Sequence, residues 1–121
     1  MVSILNSIKK LLGVSEDQTH FDSDIIMHIN TVFSVLTQLG VGPEEGFVIQ
    51  DELATWDDFM SDDSKLQNVK SYVYMRVKLL FDPPQSSAVL SAMERIINEF
   101  EWRLNVAADK VRSNSEENQN G

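Results

Sequence analysis

Four carboxylates, Asp57, Asp58, Asp62 and Asp63, stand within one short stretch of the chain and form a dense group of potential metal ligands. A calcium-binding loop needs the order D-x-[DN]-x-[DN]-G and a glutamate at its twelfth position, and this stretch has neither. A run of like charges ordinarily repels itself and stays solvated. We therefore predict an acidic, solvent-exposed surface here and no metal site.

The remaining candidates for chemistry are few. The chain has no cysteine, and its two histidines, His20 and His28, are too far apart to pair on one helix face. Neither of the glycine-rich phosphate-binding patterns occurs, and HExxH is absent. We interpret His28, flanked by Met27 and Ile29, as a structural histidine. The sequence predicts no cofactor and no enzymatic activity.

Charge divides the chain into two unequal halves. The 121 residues carry a net charge of −9, with twelve Asp or Glu and no Lys or Arg between residues 11 and 64. Residues 65–112 contain eight basic and five acidic residues. A protein that binds the phosphate backbone should instead show a basic patch. This charge distribution argues against a helix-turn-helix DNA-binding protein.

Apolar residues at spacings of three and four predict the helices that must position these groups. A short N-terminal helix within residues 2–12 has Ile4, Leu5, Ile8, Leu11 and Leu12 on one side. A first long helix, capped by Asp22 or Ser23 and ended by Gly40, buries Ile25, Ile29, Val32, Phe33, Leu36 and Leu39. A loop with a short extended segment at 47–49 follows, and then TWDDFM makes a turn that buries Trp56, Phe59 and Met60.

Two further long helices follow and are joined by the sequence DPPQ. The second long helix buries Leu66, Val69, Val73, Val77 and Leu80, and the third buries Val89, Met93, Ile96, Phe100, Leu104 and Ala107. Because a residue before proline avoids the helical region, Asp82-Pro83-Pro84-Gln85 predicts a tight corner between antiparallel neighbours. The predicted fold class is all-α: a bundle of three main helices with short accessory helices and a helical hairpin at 64–110. One domain over 1–110 and a disordered tail over 111–121 are expected.

Two features leave alternatives open. The N-terminal helix either caps the bundle or docks on another chain, as amphipathic helices do in grooves. Trp102, with the tyrosines Tyr72 and Tyr74, either packs on the neighbouring helix or is an exposed anchor for a partner. No apolar run approaches the roughly 18 residues of a membrane span, so no membrane partner is predicted.

The order of several motifs resembles the head–tail connector proteins of long-tailed bacteriophages. These motifs are D-x-D-I-x-x-H-I-N at 22–30, a glycine-rich loop, W-D-D-F at 56–59, a tyrosine-rich helix ending in F-D-P-P, and N-E-F-E-W-R-L at 98–104. The resemblance covers about residues 15–108. It implies a small helical protein in the virion neck, assembled in the host cytoplasm, that binds and assembles rather than catalyses.

The same resemblance implies the partners: the portal protein, a head-closure or tail protein, and further copies of the chain in a ring that extends the DNA channel. DNA would pass through without specific binding, since acidic walls repel its backbone. The alternative is an acidic helical interaction module, such as a DNA mimic that inhibits a nucleic-acid enzyme. Candidate contacts with a partner or with another copy are Ile4, Ile8, Trp56, Asp57, Asp58, Pro83, Pro84 and Trp102.

Overall fold

The computed structural model describes residues 2–120, with the side chains of Asp63 and of residues 108–120 outside the description. Five helices follow one another: α1 (Ile4–Leu12), α2 (Asp22–Gln38), α3 (Trp56–Phe59), α4 (Asp63–Phe81) and α5 (Ser87–Asn120). Among the described residues there is no strand, and a single isolated bridge pairs Ser3 with Thr55. The prediction of an all-α bundle with three main helices is confirmed.

Helix α4 lies at the centre of the fold, because it packs against α1, α2 and α5. Its buried residues accordingly form a wider set than one stripe and include Tyr72 beside Val69 and Val73, all three completely buried. Leu80, predicted to be buried, is half exposed near the end of the helix. The prediction for Leu80 was wrong because the spacing rule assumes one covered face along the whole helix.

Helix α1 is a cap on the bundle. Ile4, Leu5 and Ile8 are buried as predicted, which contributes about 1.5–3 kcal/mol for each side chain. Leu11 is 55% exposed, and the neighbouring charged residue Lys9 is buried in its place. The prediction of Leu11 on the buried side was wrong, since the linker after α1 folds back over Lys9 instead.

The start of helix α2 differs from the prediction, and its end agrees with it. The N-cap residue is Phe21, which makes no side-chain cap, so the prediction of Asp22 or Ser23 at this position was wrong. At the other end Gly40 has φ 83°, its N–H donates to the carbonyl of Thr37, and the N–H of Val41 donates to that of Leu36. These two hydrogen bonds form a Schellman motif, which confirms Gly40 as the residue that ends the helix.

The segment between α2 and α4 is held by close packing and one helical turn. Gly42 has φ 85°, and a Cβ atom there would collide with the ring of Phe59, so glycine is required for both reasons. In α3 both Trp56 and Phe59 are buried, as predicted, and the carboxylate of Asp58 accepts a hydrogen bond from the N–H of Thr55 at 2.9 Å.

The proline corner lies where it was predicted. Helix α4 ends at Phe81 and α5 begins at Ser87, and the two helices pack as a hairpin. The buried stripe of α5 is displaced from the predicted one, because Ile97 and Leu104 are buried while Val89 and Ile96 are 49% and 43% exposed. The prediction of Val89 and Ile96 as buried was wrong, since α4 covers only one edge of the apolar surface of α5.

Helix α5 continues through Asn120, beyond the domain boundary predicted at residue 110. The side chains of residues 108–120 and the whole of Gly121 lie outside the described part of the chain. The division into a domain over 1–110 and a disordered tail over 111–121 therefore stays a prediction.

Candidate interaction surface

A buried lysine fixes the N-terminal helix to the start of α2. The ammonium group of Lys9 donates to the backbone carbonyls of Glu16 at 3.2 Å and Gln18 at 2.9 Å, and it lies 2.7 Å from a carboxylate oxygen of Asp22. The Lys9–Asp22 contact has the distance but not the angle of a hydrogen bond, so we treat it as an ion pair. Three oxygens thus surround a completely buried cation, and the linker 13–21 is held against α1.

An asparagine on α2 holds the segment at 47–49 that was predicted to be extended. The side-chain amide of Asn30 donates to the carbonyl of Ile49 at 3.0 Å and accepts from the N–H of Ile49 at 2.8 Å. This pair of hydrogen bonds imitates the pairing of a neighbouring strand. As a result Ile49 is buried and Val48, the residue before it, is 67% exposed.

Trp56 anchors α3 in the core. Its indole N–H donates to the hydroxyl of Ser7 at 2.8 Å, and the ammonium group of Lys70 lies 5.7 Å from its ring. Asp57 and Asp58 follow it on the exposed side of the turn, as predicted. Asp57 and Asp58 are therefore presented to solvent by a helical turn whose aromatic side chain is buried and hydrogen-bonded.

A cluster of three polar side chains, Tyr72, Arg76 and Glu101, joins helices α4 and α5 where they pack. The hydroxyl of the buried Tyr72 donates to the carboxylate of Glu101 at 2.7 Å, and the guanidinium of Arg76 lies 3.8 Å from the same carboxylate. Burial first, and then the hydrogen bond to Glu101, raise the pKa of Tyr72 well above its ordinary value of about 10. Of the two earlier interpretations of Tyr72, the structure supports packing on the neighbouring helix.

Because the pKa of Tyr72 is raised, we expect the protein to lose stability at high pH. The pKa of Tyr72 is higher in the folded chain than in the unfolded chain, so the stability that this residue contributes is fully present below a pH of about 10. This contribution is lost as the pH rises above that value, because the unfolded chain releases the proton more easily. Tyr72→Phe should cost about 1–2 kcal/mol at neutral pH and make the decline above pH 10 shallower. Denaturant melts from pH 7 to 11 measure this, with Tyr74→Phe as the matched control. An equally steep decline in Tyr72→Phe would contradict the assignment.

The structure separates the eight candidate contact residues into two groups. Ile4, Ile8 and Trp56 are at most 2% exposed, so contact with a partner would require them to leave the core. Asp57, Asp58, Pro83 and Trp102 are exposed and Pro84 is half-buried. The first group belongs to the core of the chain, and a contact role for the second group stays a prediction.

One flank of α5 is apolar and uncovered. We call it the α5 flank; Val89 and Ile96 are exposed there, and the half-buried Met93 and Phe100 lie between them and α4. Trp102, at 68% exposed, lies on another side of the helix. Its exposure does not fit the interpretation of a side chain packed on the neighbouring helix. The sequence placed Val89 and Ile96 in the apolar stripe but could not show that α4 would leave them uncovered.

A shallow hollow follows the outer face of α2. It has a volume of about 690 Å³, is open to solvent, and is lined by Ser23, Ile26, Met27, Asn30, Thr31, Ser34 and Val35. Ser23, Met27, Thr31 and Ser34 are exposed there, whereas Ile26 and Val35 also pack against the core that contains Ile25, Ile29 and Val32. No earlier prediction singled out this α2 hollow, although the absence of charged residues from 25 to 43 was a signal in the sequence.

Neither a metal centre nor a membrane helix is found in the part of the chain that the structure describes. No three His, Asp or Glu side chains there are grouped so that they could hold a metal ion. None of the helices searched combines the length and the apolar character needed to cross a bilayer. What the described residues offer is a rigid helical scaffold with exposed acidic, apolar and uncharged surfaces.

The fold and these surfaces define a small all-α bundle protein. The family model described as Phage connector protein matches residues 4–111, nearly the whole chain, and the chain belongs to that family. It is thus a structural protein of the phage neck, in a family whose place in the virion implies contact with portal and tail proteins. No curated protein and no solved structure matches the sequence.

The motifs that carried the resemblance can now be assigned physical roles. Asp22 pairs with the buried Lys9, Asn30 holds the extended segment, and Glu101 joins α5 to Tyr72 of α4. The F-D-P-P corner ends α4, and Asp82 there accepts a hydrogen bond from Lys78 at 3.0 Å. These four residues of the motifs, Asp22, Asn30, Glu101 and Asp82, therefore maintain the fold.

Proposed function

We propose that the chain forms a ring below the portal vertex of the filled phage head, where it extends the DNA channel and presents a surface to the next neck or tail protein. Its role is binding and assembly, without catalysis. Membership of the connector family supports the location, and the distribution of charge supports the channel.

The observation that carries the channel is the exposed acidic surface of the front half. Of the twelve acidic residues between 11 and 64, ten are exposed: Glu16, Asp17, Asp24, Glu44, Glu45, Asp51, Glu52, Asp57, Asp58 and Asp62. The sequence between residues 11 and 64 contains no lysine or arginine, and Lys65 and Lys70 are the basic residues that lie near Asp62 and Trp56. A surface with this excess of carboxylates repels the DNA backbone and favours sliding over tight binding.

The test is binding to heads that lack this chain. The purified protein is mixed with DNA-filled, portal-bearing heads and sedimented, and we expect it to co-sediment in the stoichiometry of a ring. Trp102→Ala should reduce the bound amount without changing the melting temperature, since its side chain is mostly exposed. Substitutions at Ile4 or Ile8 are unsuitable, because those side chains are in the core.

The competing function has a distinct result in the same experiment. A DNA mimic would leave the heads unbound and would instead bind a DNA-processing enzyme tightly, in competition with DNA. Failure to co-sediment together with such binding would replace the connector by the mimic. Salt separates the two further, since a mimic that binds through its carboxylates should lose affinity steeply as ionic strength rises.

A further inference from the structure

We propose that neighbouring copies in the ring meet by docking the α5 flank of one copy in the α2 hollow of the next. The inference rests on the proposed function, because it names the subunit contact of that ring. The two surfaces are the exposed apolar side chains Val89 and Ile96 on α5 and the outer face of α2 between Ser23 and Val35.

The charges of the two surfaces are compatible with burial. In a chain with 19 acidic and 10 basic residues, the stretch from 25 to 43 has none of either, so the α2 hollow beyond its first turn is uncharged. The four residues of the α5 flank, from Val89 to Phe100, are uncharged as well. Joining these residues buries no charge of their own, and the exposed Glu99–Arg103 pair, one turn from Ile96 and Phe100, would lie at the rim of the contact. The cores of protein interfaces are likewise poor in charged residues.

The lengths and shapes of the two surfaces also agree. Residues 23–35 of α2 span about 18 Å and residues 89–100 of α5 span about 17 Å, at 1.5 Å for each helical residue. The α2 hollow is lined by the small side chains of Ser23, Thr31 and Ser34 and by larger ones that include the exposed, apolar Met27. Val89 and Ile96 are the exposed apolar side chains of the α5 flank. A ridge of side chains on one helix fits between small side chains on another, as in ordinary helix packing.

Because the two surfaces are different, the contact can repeat from copy to copy, as a ring requires. Helix α4 packs against both α2 and α5, and the α2 hollow lies on the side of α2 away from the core. Two different surfaces of one chain therefore meet two neighbours, which is a heterologous contact. If the α5 flanks of two copies met each other instead, the assembly would stop at a two-fold dimer.

A disulfide experiment tests this contact, because the natural chain has no cysteine. Thr31→Cys, in the α2 hollow, and Ile96→Cys, on the α5 flank, are made in separate chains, one of them enlarged by a tag. The two are mixed on portal-bearing heads, oxidised and separated on a non-reducing gel. Since a disulfide needs Cβ atoms within about 4.5 Å, the mixed disulfide should exceed that of the control pair about tenfold or more. The control pair is Leu53→Cys with Ile96→Cys, because Leu53 is 76% exposed and does not line the α2 hollow.

The outcomes separate this inference from the proposed function. Head-bound protein that forms no mixed disulfide, or only the Ile96→Cys homodimer, overturns the contact and leaves the connector role intact. Protein that does not bind heads overturns the proposed function, and the same oxidation of concentrated free protein then decides the contact. Unchanged melting of both single variants shows that neither substitution disturbs the fold.

Discussion

Replacing Trp56 with alanine is expected to lower the free energy of unfolding by about 3–5 kcal/mol. The indole is 2% exposed, lies 6.2 Å from the ring of Phe33, and donates its N–H to Ser7. Truncation opens a cavity where α1, α2 and α3 meet and leaves the Ser7 hydroxyl without this partner. Chemical denaturation monitored by circular dichroism measures the loss.

The second tryptophan is the matched control for the first. Trp102 is 68% exposed on α5, and Trp102→Ala should change the free energy of unfolding by no more than about 0.5 kcal/mol. The same chemical change thus separates a core position from a surface position. Equal losses in the two variants would show that α5 packs more tightly than its exposure indicates, and Trp102 would then no longer serve as a surface probe.

Removing the ammonium group of Lys9 is expected to cost about 3–5 kcal/mol, because one partner of a buried ion pair is lost while the other remains. Lys9→Ala would leave the carbonyls of Glu16 and Gln18 and the carboxylate of Asp22 without their shared cation. The linker 13–21 should also loosen, which amide hydrogen exchange would detect as faster exchange in this segment.

Lys10 provides the control for this substitution, since it is the next residue of α1 and is exposed. Lys10→Ala should change stability by less than about 0.5 kcal/mol. Lys9→Met combined with Asp22→Asn should recover part of the loss, because an apolar side chain of similar length and a neutral amide remove the unpaired charge. A Lys9→Ala variant as stable as Lys10→Ala would contradict the role given to the buried cation.

Local rules in the sequence predicted most of the helices. Helical spacing identified Ile25, Ile29 and Val32 as buried, the left-handed preference of glycine ended α2 at Gly40, and the prolines set the corner after Asp82. Each of these depends on neighbours within a few residues. Spacing alone could not place Lys9 in the core, because its burial depends on carbonyls of the linker that follows α1.

The surfaces were harder to predict than the fold. An apolar stripe reports which residues avoid water but not how much of the stripe one neighbouring helix covers, and so Val89 and Ile96 were placed inside. Trp56 was predicted to be buried, whereas Trp102 was left between packing and exposure, because spacing alone does not show whether a neighbouring helix covers the side of α5 on which Trp102 lies. No sequence motif marks the α2 hollow, because the feature that distinguishes this part of the chain is the absence of charged residues.

The pairing of the first residues with the middle of the chain has a consequence for synthesis on the ribosome. The N–H of Ile4 donates to the carbonyl of Ala54, and the N–H of Trp56 donates to that of Val2, so the N-terminal segment needs residues that are made about 50 positions later. Helix α1 also packs on α4, which ends at Phe81. At about 5–20 residues per second, the apolar side of α1 stays without its final partners for roughly 4–15 seconds of translation. Helix α1 is thus made well before α4, on which it packs, so Ile4, Leu5 and Ile8 stay without part of their native cover until α4 has been made.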